Sequence, residues 1–163
     1  MYDLIERYSL WLNWDIDVRT RLAGGKPDSH PENWMKDLDK EGLIKYHGLL
    51  NDVRVLMKDV HCIVHPTYYP EGISNVLLEA SATGRGVITT NRPGCREVVD
   101  DNITGFLIRE KDIDDLYKKV EKFIQLNYEE KKKIGLQARK KDEKEYNRDT
   151  VEKAYIKVLK NLK

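Results

Sequence analysis

Apolar residues recur along this chain with two alternating periods, and the switches between them mark its elements. From Tyr2 to Leu12, Leu4, Ile5, Tyr8, Leu10, Trp11 and Leu12 fall at helical spacing and predict a short amphipathic helix. In "DIDVRTRLAGG" the period becomes two, with Ile16, Val18, Thr20 and Leu22 alternating before two glycines, which predicts a strand closed by a tight turn. A helix is expected from His30-Pro31, where Pro31 suits a first turn, to Gly42. A second strand follows in "LIKYHG", a short helix from Asn51-Asp52 through Met57, and a third strand in "VHCIVHP" from Val60.

The next helix is expected from Ser74 to Thr83, followed by strands "GVITT" from Gly86 and "GFLI" from Gly105. Beyond Asp112 the alternation stops and two or three charged helices fill the chain, a helical cap over residues 112–163 of the same domain. Strands alternating with helices at this spacing predict an α/β fold, a Rossmann-like, doubly wound and mainly parallel sheet with C-terminal helices. No linker or internal repeat divides the chain, and 163 residues are one domain's worth.

Composition narrows the function classes. The 29 basic and 28 acidic residues nearly cancel, so no global field draws the chain to nucleic acid or an anionic membrane. Runs such as "EEKKKIG" and "RKKDEKEYNRD" mix both signs and read as solvated helix face. Cys62 and Cys95 share no metal or disulfide spacing, so reduced thiols and no metal site are expected. No apolar run approaches the roughly 18 residues of a membrane span, and the N-terminus lacks a signal peptide's pattern, so a cytoplasmic location is expected.

The candidate chemistry lies in "HPTYYPEGISNVLLEASATGRG", from His65 to Gly86. In parallel α/β sheets ligands settle outside the carboxyl ends of the strands, and the loop from His65 to Ile73 leaves one such end. Ser74 is expected to cap the next helix through its hydroxyl, with Asn75 and the free amides facing a mouth that suits phosphate. Glu79, just over one turn in, has the reach to accept hydrogen bonds from vicinal sugar hydroxyls, and Glu71 stands beside Gly72, where the chain permits close approach to a ligand. On spacing alone the alternative is two solvated charges.

Ala80, Ser81, Ala82 and Gly84 would let the helix press on the sheet. His47 and His65 sit at expected strand ends and are lesser binding candidates, while His61 reads as structural and the tryptophans as packing, with a partner surface the alternative for Trp34. Arg92 and Arg96 flank "PGC" at the same edge, where one could touch an anionic ligand, Arg96 being as easily in a local ion pair with Glu97, and Arg85 suits its helix's C-terminus.

Together these motifs resemble a known family. The run Pro66-Thr67, Glu71-Gly72, Glu79-Ala80, Ala82, Gly84, "GVITT", "PGCREVV" and Gly105-Phe106-Leu107 looks like the C-terminal domain of retaining, nucleotide-sugar-dependent glycosyltransferases of the GT-B fold, family 4. Upstream, "RLAGG" and "LIKYHGLLNDVRVLMKDVHCIVHP" are similar to the same family, so the likeness covers nearly the whole chain.

The resemblance implies transfer of a sugar from a nucleoside diphosphate sugar, with retention, to a surface polysaccharide or lipid-linked glycan. It implies that Glu71 positions the donor sugar and that Glu79 binds the ribose. Gly72, Ile73, Ser74 and Asn75 would lie along the sugar and phosphates, the strand holding Tyr46 near the nucleobase, and Gly24 where the donor enters. No cofactor and no metal are implied, the nucleotide sugar being a substrate.

The family's cationic G-R-x(4 or 5)-K-G stretch has no counterpart, and "MYDLIERY" looks like the helix that follows it. The expectation is therefore a chain that starts after that stretch, without the first strand and the acceptor-binding N-terminal domain, the full enzyme sitting peripherally at the inner face of the cell membrane. The alternative is an inactive remnant or partner subunit acting through self-association or a second chain. A dinucleotide oxidoreductase is disfavoured, because no G-x-G-x-x-G follows a first strand.

Overall fold

The computed structural model describes residues 20–22, 34–42, 44–70 and 72–161. The expected first helix, Gly24 and Glu71 lie outside the described residues. The chain divides into two compact units, Met1–Val55 and Leu56–Lys163.

In the first unit, strand β1 (Thr20–Leu22) pairs in parallel with β2 (Ile44–Tyr46), Thr20 standing opposite Ile44 and Leu22 opposite Tyr46. Helix α1 (Trp34–Lys40) packs against β2, with Leu38 and Ile44 buried. The turn that closes α1 places Gly42 at φ 76°, in the left-handed region that glycine enters without strain. A short helix α2 (Arg54–Met57) opens with the Asp52 carboxylate accepting from the Arg54 backbone N–H at 3.0 Å.

The second unit is built on a three-stranded parallel sheet in the order β3 (Cys62–His65), β4 (Gly86–Thr90) and β5 (Gly105–Ile108). Register sets Val87 opposite both Ile63 and Gly105. All five residues of β4 are buried, as a central parallel strand covered on both faces requires. Between β3 and β4 runs helix α3 (Asn75–Ala82), which packs on both strands. Leu77 and Ala80 are fully buried and join Val87, Cys95, Val98 and Val99 in one core cluster.

Three helices follow: α4 (Ile113–Gln125), α5 (Tyr128–Glu145) and α6 (Arg148–Asn161). The first two are fixed by local caps. Asp112 accepts from the Asp115 N–H at 2.8 Å, and Asn127 and Glu130 form a reciprocal capping box. Helix α4 buries Leu116, Val120 and Phe123 against β4 and β5, where Phe123 meets Phe106 edge-to-face with centroids 6.4 Å apart. Helix α5 lies against α3, β4 and β5 through Ile134, Gly135 and Ala138.

The expected boundaries of β4 and β5 coincide with the observed strands, and every described strand pairing is parallel. Arg85 acts differently from expectation. Its guanidinium donates to the Lys58 carbonyl at 2.7 Å, beyond the end of α2, while its own helix is closed by main-chain bonds from Gly84 to Ser81 and from Arg85 to Ala80. That pattern, with Gly84 at φ 69°, satisfies the helix's last carbonyls without a side-chain cation.

Candidate functional site

Because β3, β4 and β5 run in parallel, their carboxyl ends share one edge, where the loops after His65, Thr90 and Ile108 emerge. The first of these carries the motif residues. The His65 carbonyl accepts from Thr89 Oγ1 at 2.8 Å and from the Thr67 N–H at 3.0 Å, turning the chain off the strand. Thr67 is buried and its hydroxyl accepts from the Tyr69 N–H at 3.3 Å, an ST-turn that starts the loop. The loop ends at Ser74, whose N–H donates to the Gly94 carbonyl at 3.1 Å.

Ser74 is the N-cap of α3, in extended conformation, but the capping is not the one expected from its hydroxyl. No side chain caps the helix, and it is the Ser74 carbonyl that receives Leu77 and Leu78 N–H at 3.1 and 3.2 Å. Ser74 itself is buried, at 5% exposure, and its amide is tied to the Gly94 carbonyl. The first amides of α3 therefore have no side-chain acceptor from the cap, which suits an external anion.

The structure brings Gly72, Ile73, Ser74, Asn75 and Glu79 together around the start of α3. Gly72 and Asn75 are exposed, Ile73 is 48% exposed although apolar, and Glu79 is exposed one turn into the helix. Only backbone atoms of Glu79 enter the described hydrogen bonds, its carbonyl accepting from the Thr83 N–H and hydroxyl, each at 3.0 Å. The helix can come this close to the sheet because Ala80 and Ser81 are small and buried; Ala82 is exposed. Tyr46 lies at the end of β2 in the first unit and is half-buried, and beside it the Nε2 of His47 is buried with no hydrogen-bond partner among the described residues. Glu71 and Gly24 fall outside the described residues.

Sequence reasoning missed several residues at this edge. Tyr68 and Tyr69 stack with centroids 4.6 Å apart and remain 44% and 63% exposed, with Lys111 Nζ 5.3 Å from the Tyr68 ring centre. Lys111 follows β5 in the left-handed region, at φ 55°, which is uncommon for a residue with a side chain. The doubled tyrosine beside two prolines was the available signal; Lys111 gave none, since it sits in a charged run. Arg92 Nη1 donates to the Tyr68 carbonyl and lies 3.7 Å from the Glu110 carboxylate. Arg96 pairs locally with Glu97 at 3.6 Å, one of the two expectations for it. Among the described residues no cluster of His, Cys, Asp and Glu has the arrangement of a metal site, and no helix is long and apolar enough to cross a membrane.

Comparison with known proteins identifies the family and the fold. The family described as "Glycosyl transferases group 1" matches residues 3–141. A Campylobacter jejuni N,N'-diacetylbacillosaminyl-diphospho-undecaprenol alpha-1,3-N-acetylgalactosaminyltransferase is 26% identical over 86% of this chain and 38% of its own length. A Staphylococcus aureus capsular polysaccharide biosynthesis glycosyltransferase, CapM, is 31% identical over 90% of this chain and 39% of its own. The chain thus spans under two-fifths of these curated relatives.

Among solved structures, Anabaena Alr3699/HepE in complex with UDP superimposes with a TM-score of 0.82 at 20% identity, over 99% of this chain and 45% of that one. TarM superimposes with a TM-score of 0.80 at 20% identity, over 96% of this chain and 31% of that one. These likenesses establish the Rossmann-like α/β fold of a GT-B C-terminal domain. On the family match, the chain belongs to the glycosyl transferases group 1 family.

Proposed function

We propose that this chain is the donor-binding part of a retaining glycosyltransferase of the family 4 type, which moves a sugar from a nucleoside diphosphate sugar to a surface polysaccharide or lipid-linked glycan. The observation that carries this reading is the start of α3, where Gly72, Ser74 and Asn75 present an N-terminus without a side-chain cap at the carboxyl edge of the sheet and Glu79 stands exposed one turn on. Structural neighbours that bind UDP and UDP-glucose, and relatives in capsule and lipid-linked glycan synthesis, support it.

In this reading the α3 amides and dipole hold the diphosphate, and Glu79 accepts from the ribose hydroxyls. Glu71 positions the sugar, Ile73 lies along it, Tyr46 lies near the base and Gly24 lines the entry. The bond between the anomeric carbon and the diphosphate breaks while the acceptor hydroxyl attacks on the same face, so configuration is retained. The departing diphosphate gathers negative charge, and oriented donors stabilise it. No cofactor or resident metal takes part, and the acceptor is assigned to a separate N-terminal domain. The full enzyme works in the cytoplasm, at the inner face of the membrane.

Thermal unfolding tests the reading. A nucleoside diphosphate at about 100 times its Kd adds about 2.7 kcal/mol of stability. For a domain of this size that raises Tm by roughly 5–10 °C. Glu79→Ala removes acceptors of charge-assisted hydrogen bonds and is expected to weaken nucleotide binding by roughly a hundredfold, as calorimetry would read it. If UDP, GDP, ADP, dTDP and their sugar conjugates all leave Tm unmoved at millimolar concentration, donor binding by this chain is wrong.

A further inference from the structure

The loop between Tyr68 and Ser74 is tied at both ends to the segment after β4. At its start Arg92 Nη1 donates to the Tyr68 carbonyl, and at its end the Ser74 N–H donates to the Gly94 carbonyl at 3.1 Å. Glu71 lies between the two ties in sequence. The segment that holds them is itself fixed. The Arg92 N–H donates to Thr90 O at 2.9 Å, and its carbonyl receives Cys95 and Arg96 N–H at 3.1 and 3.0 Å. Gly94, at φ 90°, donates to the Glu97 carboxylate at 2.7 Å, and Cys95 is fully buried in the core.

The two ties differ in kind. The Ser74 tie is main chain to main chain and does not use the Arg92 side chain. The Tyr68 tie depends on one side chain, only 13% exposed, whose guanidinium also lies 3.7 Å from Glu110. A planar guanidinium with several donors meets a carbonyl and a carboxylate at once, which an ammonium on a flexible stem does less well. Helix α3 does not depend on Arg92, because Leu77 and Ala80 anchor it in the core.

We infer that Arg92 is a positioning residue for the donor sugar, setting the loop that carries Glu71 without itself touching substrate. The inference rests on the donor-binding reading above, in which Glu71 meets the sugar and α3 meets the nucleotide. It separates the two halves of the donor. Loss of Arg92 loosens the sugar's side of the site and leaves the nucleotide's side in place.

The test titrates the 163-residue chain with UDP, GDP, ADP and dTDP and with their glucose conjugates, in wild type, Arg92→Ala and Arg92→Lys. For the nucleotide that binds best, Arg92→Ala is expected to weaken its glucose conjugate roughly tenfold while the nucleotide itself stays within about twofold. Arg92→Lys keeps a charged donor and is expected to regain part of the loss. In the unliganded chain, amide exchange at Tyr69, whose N–H is held by Thr67 Oγ1, is expected to accelerate about tenfold in Arg92→Ala, with the α3 amides unchanged. An equal loss for nucleotide and conjugate, no loss for either, or unaltered exchange overturns the positioning role. A wild type that binds none of the ligands overturns the donor-binding reading, and the positioning role with it.

Discussion

Gly105→Ala lowers stability by about 3 kcal/mol or more, near the upper end for overpacking, because the clash is with backbone. A β-carbon at Gly105 would stand 2.1 Å from the Val87 carbonyl oxygen, 3.0 Å from its carbon and 3.1 Å from the Val87 nitrogen. Val87 is the residue directly opposite in β4, 1% exposed, and part of the central core cluster. Neither strand has room to yield, since β4 is held between β3 and β5 and Phe106 is buried next door. At two to four degrees per kcal/mol, the expected fall in Tm is roughly 6–12 °C, read by calorimetry or circular dichroism. A variant melting within about two degrees of wild type, under 1 kcal/mol of change, would refute the close packing of β4 on β5.

Gly135→Ala is the second large effect, and its direction opposes helix propensity. Gly135 lies inside α5, where alanine ordinarily stabilises by about 1 kcal/mol. Here the added carbon would sit 2.0 Å from the Gly84 carbonyl oxygen and 2.8 Å from its carbon. That carbonyl cannot swing aside, because Gly84 is locked at φ 69° by the bonds that close α3, from Gly84 to Ser81 at 2.9 Å and from Arg85 to Ala80 at 3.0 Å. The expected outcome is a net loss of about 2–3 kcal/mol in urea unfolding. Leu136→Ala, next along the same helix but 50% exposed, serves as the comparison and should change stability by well under 1 kcal/mol. If Gly135→Ala is stabilising instead, α5 does not cross the end of α3 at the distance described.

These two glycines show what the sequence reveals and what it hides. Short apolar runs bounded by glycine made β4 and β5 readable, since only a strand fits four or five such residues between turns. The division between α4 and α5 at the Asn127 capping box was not read, but Asp112 stands before an amphipathic stretch, so the start of α4 was equally open to reading. The helix that begins at Asn75 was legible for the same reason, and with it the grouping of Gly72, Ser74, Asn75 and Glu79.

What was not legible is which of several available partners a polar group takes. Ser74 has the residue type of a cap and stands at the N-cap, yet its side chain makes no capping bond and its amide is tied to Gly94. Arg85 has the position of a C-terminal cation, yet it reaches Lys58, 27 residues back. Arg92 looked like an anion contact, and its carbonyl partner on Tyr68 comes from a loop 24 residues away. Spacing encodes periodicity along one element; these contacts are decided between elements.

The central claim is that the start of α3 receives a nucleoside diphosphate, and amide chemical-shift mapping of the isotope-labelled chain during titration with UDP and GDP tests it most directly. The account predicts saturable shifts that are largest at Gly72, Ile73, Asn75 and Val76 and that are lost in Glu79→Ala at the same ligand concentration. Saturable shifts confined to α4, α5 and α6, or no shifts at millimolar nucleotide, would contradict it.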